Sequence, residues 1–156
     1  MTLKIIFELT KPRITIASTL TAALGYTLAR GKMDLHIIPV LIGGFLLAAA
    51  SAALNQIQES EIDKKVERTA SRTIPSGRTT EKKALSVAVI LFIIGSALLY
   101  IYYGWLTVIL GLLAAFLYNG IYTPLKKITP LAAIPGALIG AIPPMVGWVA
   151  AEGHII

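Results

Sequence analysis

The chain has 156 residues, 56% of them hydrophobic and only 14% charged. A soluble domain runs nearer about 25% charged, so the composition predicts an integral membrane protein. In so apolar a chain a formal net charge of +6 points to membrane orientation rather than to nucleic acid. The absence of cysteine excludes disulfides, thiolate metal sites and cysteine nucleophiles.

Residues 1–9 carry apolar side chains at positions 3, 5, 6, 7 and 9 around Lys4 and Glu8. They predict a short helix lying at the membrane interface. A signal peptide is the competing reading, disfavoured by the further spans and by the lack of a small-residue cleavage site. Pro12 suits the first turn of the next helix. A first span is expected over residues 14–29, rich in Thr, Ala and Gly, a composition that lets helices pack closely. A turn over residues 30–34 leads to a second span, residues 35–57, whose small-sided AAASAA segment should face other helices. After a charged stretch comes a loop over residues 69–80, with a short helix expected before it. The third span covers residues 83–103 and the fourth residues 105–122. Tyr100, Tyr102, Tyr103 and Trp105 form an aromatic belt at the turn between them. The fifth span, residues 131–151, carries Pro135, Pro143 and Pro144 among several glycines and should be kinked or broken. The fold class is thus all-α, a polytopic bundle of about five transmembrane spans forming one domain over residues 1–156. A cytoplasmic N-terminus puts twelve of the fourteen Lys and Arg residues inside and only Arg30 and Lys32 outside, as the positive-inside rule requires.

The charged segment at residues 58–82 interrupts the apolar runs. Asn55, Glu59 and Asp63 fall at i, i+4 and i+8, so on a helix they sweep only about 80°. Two carboxylates and an amide oxygen on one stripe suit a hard divalent cation, above all Mg²⁺, held together with substrate phosphates. The basic residues that follow, from Lys64 to Arg78, offer partners for a phosphate or diphosphate. The same charges also fit a solvated helix end supported by pairs such as Glu61–Lys65. Ionisable groups that continue a membrane-length helix favour the functional reading.

Four motifs, in order along the chain, resemble the intramembrane prenyltransferases of the UbiA superfamily, most closely its heme-farnesylating branch, the heme O synthases. They are LTKPR at residues 9–13, NQIQESEID at residues 55–63 continuing to Glu67-Arg68-Thr69, YTPLKK at residues 122–127, and GAIPPMVGW at residues 140–148. Glu61 stands where that branch has Asp, Thr73 where it has Pro, and Ser60 where Arg is frequent. The resemblance implies a nine-helix fold of about twice this length, so the chain is similar to an N-terminal half. The second acid-rich motif would lie past Ile156. It also implies farnesyl diphosphate, heme b and the lipid bilayer as partners and Mg²⁺ as cofactor, in a multi-pass cell inner-membrane protein. Asn55, Glu59 and Asp63 would hold the metal, and Arg68, Arg72 and Lys127 the diphosphate. Tyr118, Asn119 and Tyr122, at the inner end of the fourth span, would line the pocket, although they also fit simple packing. Catalysis is expected to need a complementing C-terminal half or a second copy. Another aromatic prenyltransferase, a non-catalytic membrane protein and a small transporter remain as alternatives. Lys11, Arg13 and Lys126 read as interface anchors or orientation markers, and His36 and His154 as isolated interfacial histidines.

Overall fold

A computed structural model describes residues 2–153; His154 lies outside the described residues. Among the described residues every regular element is helical. In order it forms α1 (Leu3–Leu9), α2 (Pro12–Arg30), α3 (Ile37–Asp63), α4 (Glu67–Ala70), α5 (Glu81–Tyr103) and α6 (Trp105–Phe116). A π-helical segment (Leu117–Tyr122), α7 (Thr123–Leu125), a 3₁₀ turn (Pro130–Ala132) and α8 (Ala133–Glu152) complete it. Pro12 occupies the first turn of α2, and Thr80 caps α5 by accepting from the Lys83 amide.

Among the described residues four helical stretches are long and apolar enough to cross a membrane: Ile37–Asp63, Glu81–Tyr103, Trp105–Leu125 and Pro130–Glu152. The expected first span, α2, is a 19-residue helix outside that group. Its Thr and Ser side chains lower the average, yet their hydroxyls do not stay free. Thr15, Thr19, Thr21 and Thr27 each donate to a backbone carbonyl three to five residues earlier. Polar atoms satisfied within their own helix cost little in an apolar setting.

The main pairings are α3 along α5 and α2 along α8. Glycine makes the second possible. A Cβ on Gly147 would lie 1.9 Å from the Ala22 carbonyl oxygen, and one on Gly25 would lie 2.0 Å from that of Pro144. The two backbones therefore touch at their crossing, as small residues permit in membrane bundles. A hydrophobic core of Leu47, Leu99, Leu110, Ile142 and Val146 fills the space between α3, α5, α6 and α8. The outward surfaces carry Leu20, Leu24, Ile90, Ile93, Ile101 and Phe116, which is the surface a bilayer would cover.

One expectation is corrected. The fifth span is not broken, because α8 runs unbroken from Ala133 to Glu152 with Pro143 and Pro144 inside it. The carbonyls that lose their i+4 donors to these prolines belong to Ile139 and Gly140, and both residues line a cavity. Tyr103 also ties two helices together. Its hydroxyl donates to the His36 carbonyl and accepts from the Val40 amide at 3.1 Å, while Tyr100, Tyr102 and Trp105 are exposed. At the same end the fully buried Tyr26 donates to Asp34 at 2.8 Å.

Candidate functional site

The polar site is built where α1, α3, α4 and the π segment meet. Gln56 donates from its amide to the Glu8 and Leu9 carbonyls, at 2.9 and 3.0 Å. That fixes the end of α1 on α3. Lys11, the next turn's pivot, has φ 45° and ψ 61°, a left-handed conformation rare for a residue with a Cβ. The Thr15 hydroxyl bonds to the Thr10 and Lys11 carbonyls at 2.7 and 2.8 Å and holds the turn. The turn sends Lys11 into the bundle, where Nζ donates to Asn55 Oδ1 at 2.9 Å.

Asn55 is completely buried: its Nδ2 donates to Thr123 Oγ1 at 3.0 Å, and its Oδ1 accepts from Tyr118 at 3.3 Å as well as from Lys11. One turn on, Glu59 pairs with Lys126 at 2.7 Å and with Arg72 at 3.9 Å. One turn further, Asp63 pairs with Arg72 at 2.7 Å. Both carboxylate side chains are nearly buried, at 15% and 8% exposure. The Tyr118 and Tyr122 rings stack 5.8 Å apart, and the Lys126 ammonium sits 5.1 Å from the Tyr122 centroid, within cation–π range.

The structure thus brings Asn55, Glu59, Asp63, Arg72, Tyr118 and Tyr122 together. It leaves three other sequence candidates aside. Arg68 is exposed. Lys127 is exposed and donates to the Gln58 carbonyl at 3.0 Å. Asn119 is buried but turned onto α3, donating to Ser51 O at 3.0 Å and Gln58 Oε1 at 3.2 Å. Glu61 pairs with Lys64, not with Lys65, in an exposed contact. Sequence reasoning passed over Lys11, Lys126 and Thr123. Lys126 carried a usable signal: Tyr118, Tyr122 and Lys126 repeat the i, i+4, i+8 spacing of Asn55, Glu59 and Asp63.

Among the described residues no three His, Cys, Asp or Glu side chains gather as a metal cage. The oxygen donors are Asn55, Glu59 and Asp63. Each faces a side-chain cation, which shows that the pocket around them already stabilises positive charge. Two carboxylates and an amide oxygen suit Mg²⁺ when phosphate oxygens complete the shell.

Burial, with Arg72 nearby, pushes the Lys11 ammonium down to about 8 from 10.5. The folded state holds this proton less tightly than the unfolded chain, so stability should rise with pH between about 8 and 10.5. The gain is on the order of 3 kcal/mol. Thermal unfolding in detergent across this range checks it; Lys11→Met should flatten the rise, and an unchanged profile would refute the assignment.

Above the polar groups, between α2, α3, α6 and α8, lies a cavity of about 440 Å³, within the roughly 300–1,000 Å³ range of small-molecule pockets. Lys11 and Tyr118 stand at its polar end; the remaining walls are mostly Ala, Gly, Ile and Leu.

This geometry coincides with similarity over nearly the whole chain. The model of the UbiA prenyltransferase family matches residues 18–156. The chain belongs to the UbiA prenyltransferase family. It is similar to protoheme IX farnesyltransferase from Cytophaga hutchinsonii, with 42% identity over 95% of this chain and 52% of the relative. The enzyme of the same name from Opitutus terrae is 38% identical over 95% of this chain and 50% of its own length. The chain thus spans about half the length of the curated relatives it matches. A solved structure concerning digeranylgeranylglyceryl phosphate synthase in membranes superimposes with a TM-score of 0.85 at 24% identity, over 95% of this chain and 53% of that one. It shows the all-helical membrane prenyltransferase fold. Members of the UbiA prenyltransferase family are generally metal-dependent.

Proposed function

We propose that this chain supplies the first metal- and diphosphate-binding half of a heme-farnesylating prenyltransferase. One observation carries the reading: Lys126 lies against Glu59 and Arg72 against Asp63, and all four charges act on Lys11, which lines the polar end of an apolar cavity. An allylic diphosphate has two parts, a strongly anionic head and an apolar tail, and the site has the same two parts in that order. The name shared by the relatives directs the proposal to farnesyl diphosphate and heme b.

Glu59, Asp63 and Asn55 would hold Mg²⁺, which supplies charge neutralisation of the leaving diphosphate. Arg72 and Lys126 exchange a carboxylate for phosphate oxygens as the anion arrives, and Lys11 is within the same cluster. The C–O electron pair leaves with diphosphate, the vinyl π pair of heme b forms the new C–C bond, and the cation left on the other vinyl carbon takes up water and releases a proton. Tyr118, at the polar end of the cavity, would present its ring to the developing allylic cation, with Tyr122 stacked behind it, and the cavity would keep water from that cation. Arg68 and Lys127, at the rim, would attract the diphosphate from solution. Asn119 would hold the π segment, and so the tyrosines, on α3. In this proposal residues 1–156 act as one transmembrane unit of the inner membrane. The loop at residues 58–82 and the N-terminus are cytoplasmic, and a complementing half completes the second carboxylate cluster.

Binding of farnesyl diphosphate to the detergent-solubilised chain tests this. Binding should be saturable, require Mg²⁺ and be reversed by a chelator. Absence of binding, or binding indifferent to Mg²⁺, refutes the proposal.

A further inference from the structure

Asn55 Oδ1 has no acceptor position to spare. A carbonyl oxygen has two lone pairs, and this one takes the Lys11 ammonium at 2.9 Å and the Tyr118 hydroxyl at 3.3 Å. Its neighbours fix the orientation of the amide. The Thr123 hydroxyl donates to the Tyr118 carbonyl at 2.8 Å, so its oxygen accepts from Asn55 Nδ2 at 3.0 Å. An ammonium carries only donors, so the amide oxygen is what faces Lys11. The two carboxylates on the same stripe differ. A carboxylate offers about four acceptor positions, and Lys126 and Arg72 leave part of them open on Glu59 and Asp63.

Glu59 and Asp63 can therefore take a metal beside their cations. Asn55 can do so only after losing a donor, and charge decides which one. A dication on Oδ1 would stand next to the Lys11 ammonium, like charge against like, in a buried setting that screens little. The Tyr118 hydroxyl is neutral and meets no such repulsion. Lys11 is also held less firmly than the other two cations. Its hydrogen-bond partner is a neutral amide, whereas Arg72 and Lys126 sit on carboxylates. Its stem is flexible and lines the cavity. The ammonium thus has room to withdraw while the left-handed turn at its backbone, held by Thr15, stays in place.

We infer that Lys11 and the divalent cation exclude each other at Asn55: the ammonium stands in the metal's place and withdraws before Asn55 can ligate. This rests on the metal reading above and adds a residue that sets the affinity for the metal. A withdrawn conformer populated at about 10% or less lowers the apparent metal affinity by that same fraction. Removing the ammonium should therefore tighten metal binding, the reverse of what losing a supporting residue does.

The test is Mn²⁺, a stand-in for Mg²⁺ visible by electron paramagnetic resonance, titrated alone into the solubilised chain at neutral pH. Lys11→Met should bind it at least about tenfold more tightly than the wild type. Lys11→Gln, neutral and still able to hydrogen-bond, repeats the measurement should Lys11→Met not fold. Lys11→Arg keeps a cation at the turn and should stay near the wild type. So should Lys127→Met, which removes one charge that bonds to the Gln58 carbonyl instead of to Asn55. Unchanged or weaker binding in the folded neutral variant overturns the inference and leaves the metal site standing. Equal tightening in Lys11→Arg or Lys127→Met does the same, since net charge or packing would then govern the affinity. If Mn²⁺ binds neither the wild type nor any variant, with or without farnesyl diphosphate, the metal reading itself fails and the inference with it.

Discussion

Changing Asp63 to asparagine should weaken Mg²⁺-dependent retention of farnesyl diphosphate by at least about 100-fold. The side chain is 8% exposed and is the nearest anion to Arg72, at 2.7 Å. Asparagine keeps the shape and one acceptor oxygen but removes the charge. A hard cation loses one of two carboxylates, more than the 10–100-fold that follows disturbance of a ligand's supporting partner. Arg72 keeps only Glu59, at 3.9 Å, and is drawn to it or to solvent. Stability should fall by about 1–3 kcal/mol, the cost of leaving a half-buried charge short of its partner. Glu61→Gln is the matched control: its carboxylate is exposed and pairs only with Lys64. Equal loss in both variants would mean that general charge, not the stripe, governs binding. Isothermal titration with and without Mg²⁺ separates the two.

Substituting Gly147 with alanine should destabilise the bundle by about 3 kcal/mol, at the upper end of overpacking costs. The new Cβ would sit 1.9 Å from the Ala22 carbonyl oxygen and 2.8 Å from the Tyr26 amide nitrogen. Both are backbone atoms, so no rotamer change relieves the clash and α2 must move away from α8. The cavity between them would open, and prenyl diphosphate binding should weaken with it. Gly44→Ala serves as reference, because its Cβ meets nothing within 4 Å and alanine favours helix by up to about 1 kcal/mol. Thermal unfolding of both in the same detergent decides the matter; coincident melting curves would show that the crossing yields more easily than its contacts imply.

The helical spans were legible because apolar length and proline–glycine punctuation act locally. The stripe of Asn55, Glu59 and Asp63 was legible for the same reason, since one helix fixes its own angular spacing. What approaches that stripe was not. Lys11 reaches Asn55 across 44 residues of sequence and Lys126 reaches Glu59 across 67, and no local pattern encodes such meetings. The left-handed turn at Lys11 is equally silent, because a residue with a Cβ gives no hint of positive φ. Arg72 was within reach of a sequence argument, whereas choosing Lys127 over Lys126 treated the pair as interchangeable. The unbroken α8 shows the opposite case, where two prolines do not end a helix packed against α2, α3 and α6.

The wide turn at Leu117–Tyr122 has a consequence for chain length tolerance. A π turn is an α-helix that has absorbed one extra residue. If residues 117–122 tightened to α geometry with nothing removed, everything after them would rotate by about 100° and Lys126 would swing off Glu59. If one residue were lost there, the turn could tighten while the flanking faces kept their alignment. The same single-residue loss elsewhere in α6 would have no such buffer and would turn the tyrosines away from Asn55. A single-residue deletion should therefore be tolerated in this helix within that six-residue turn, at positions other than Tyr118, Asn119 and Tyr122, a few residues before the lysine that meets Glu59.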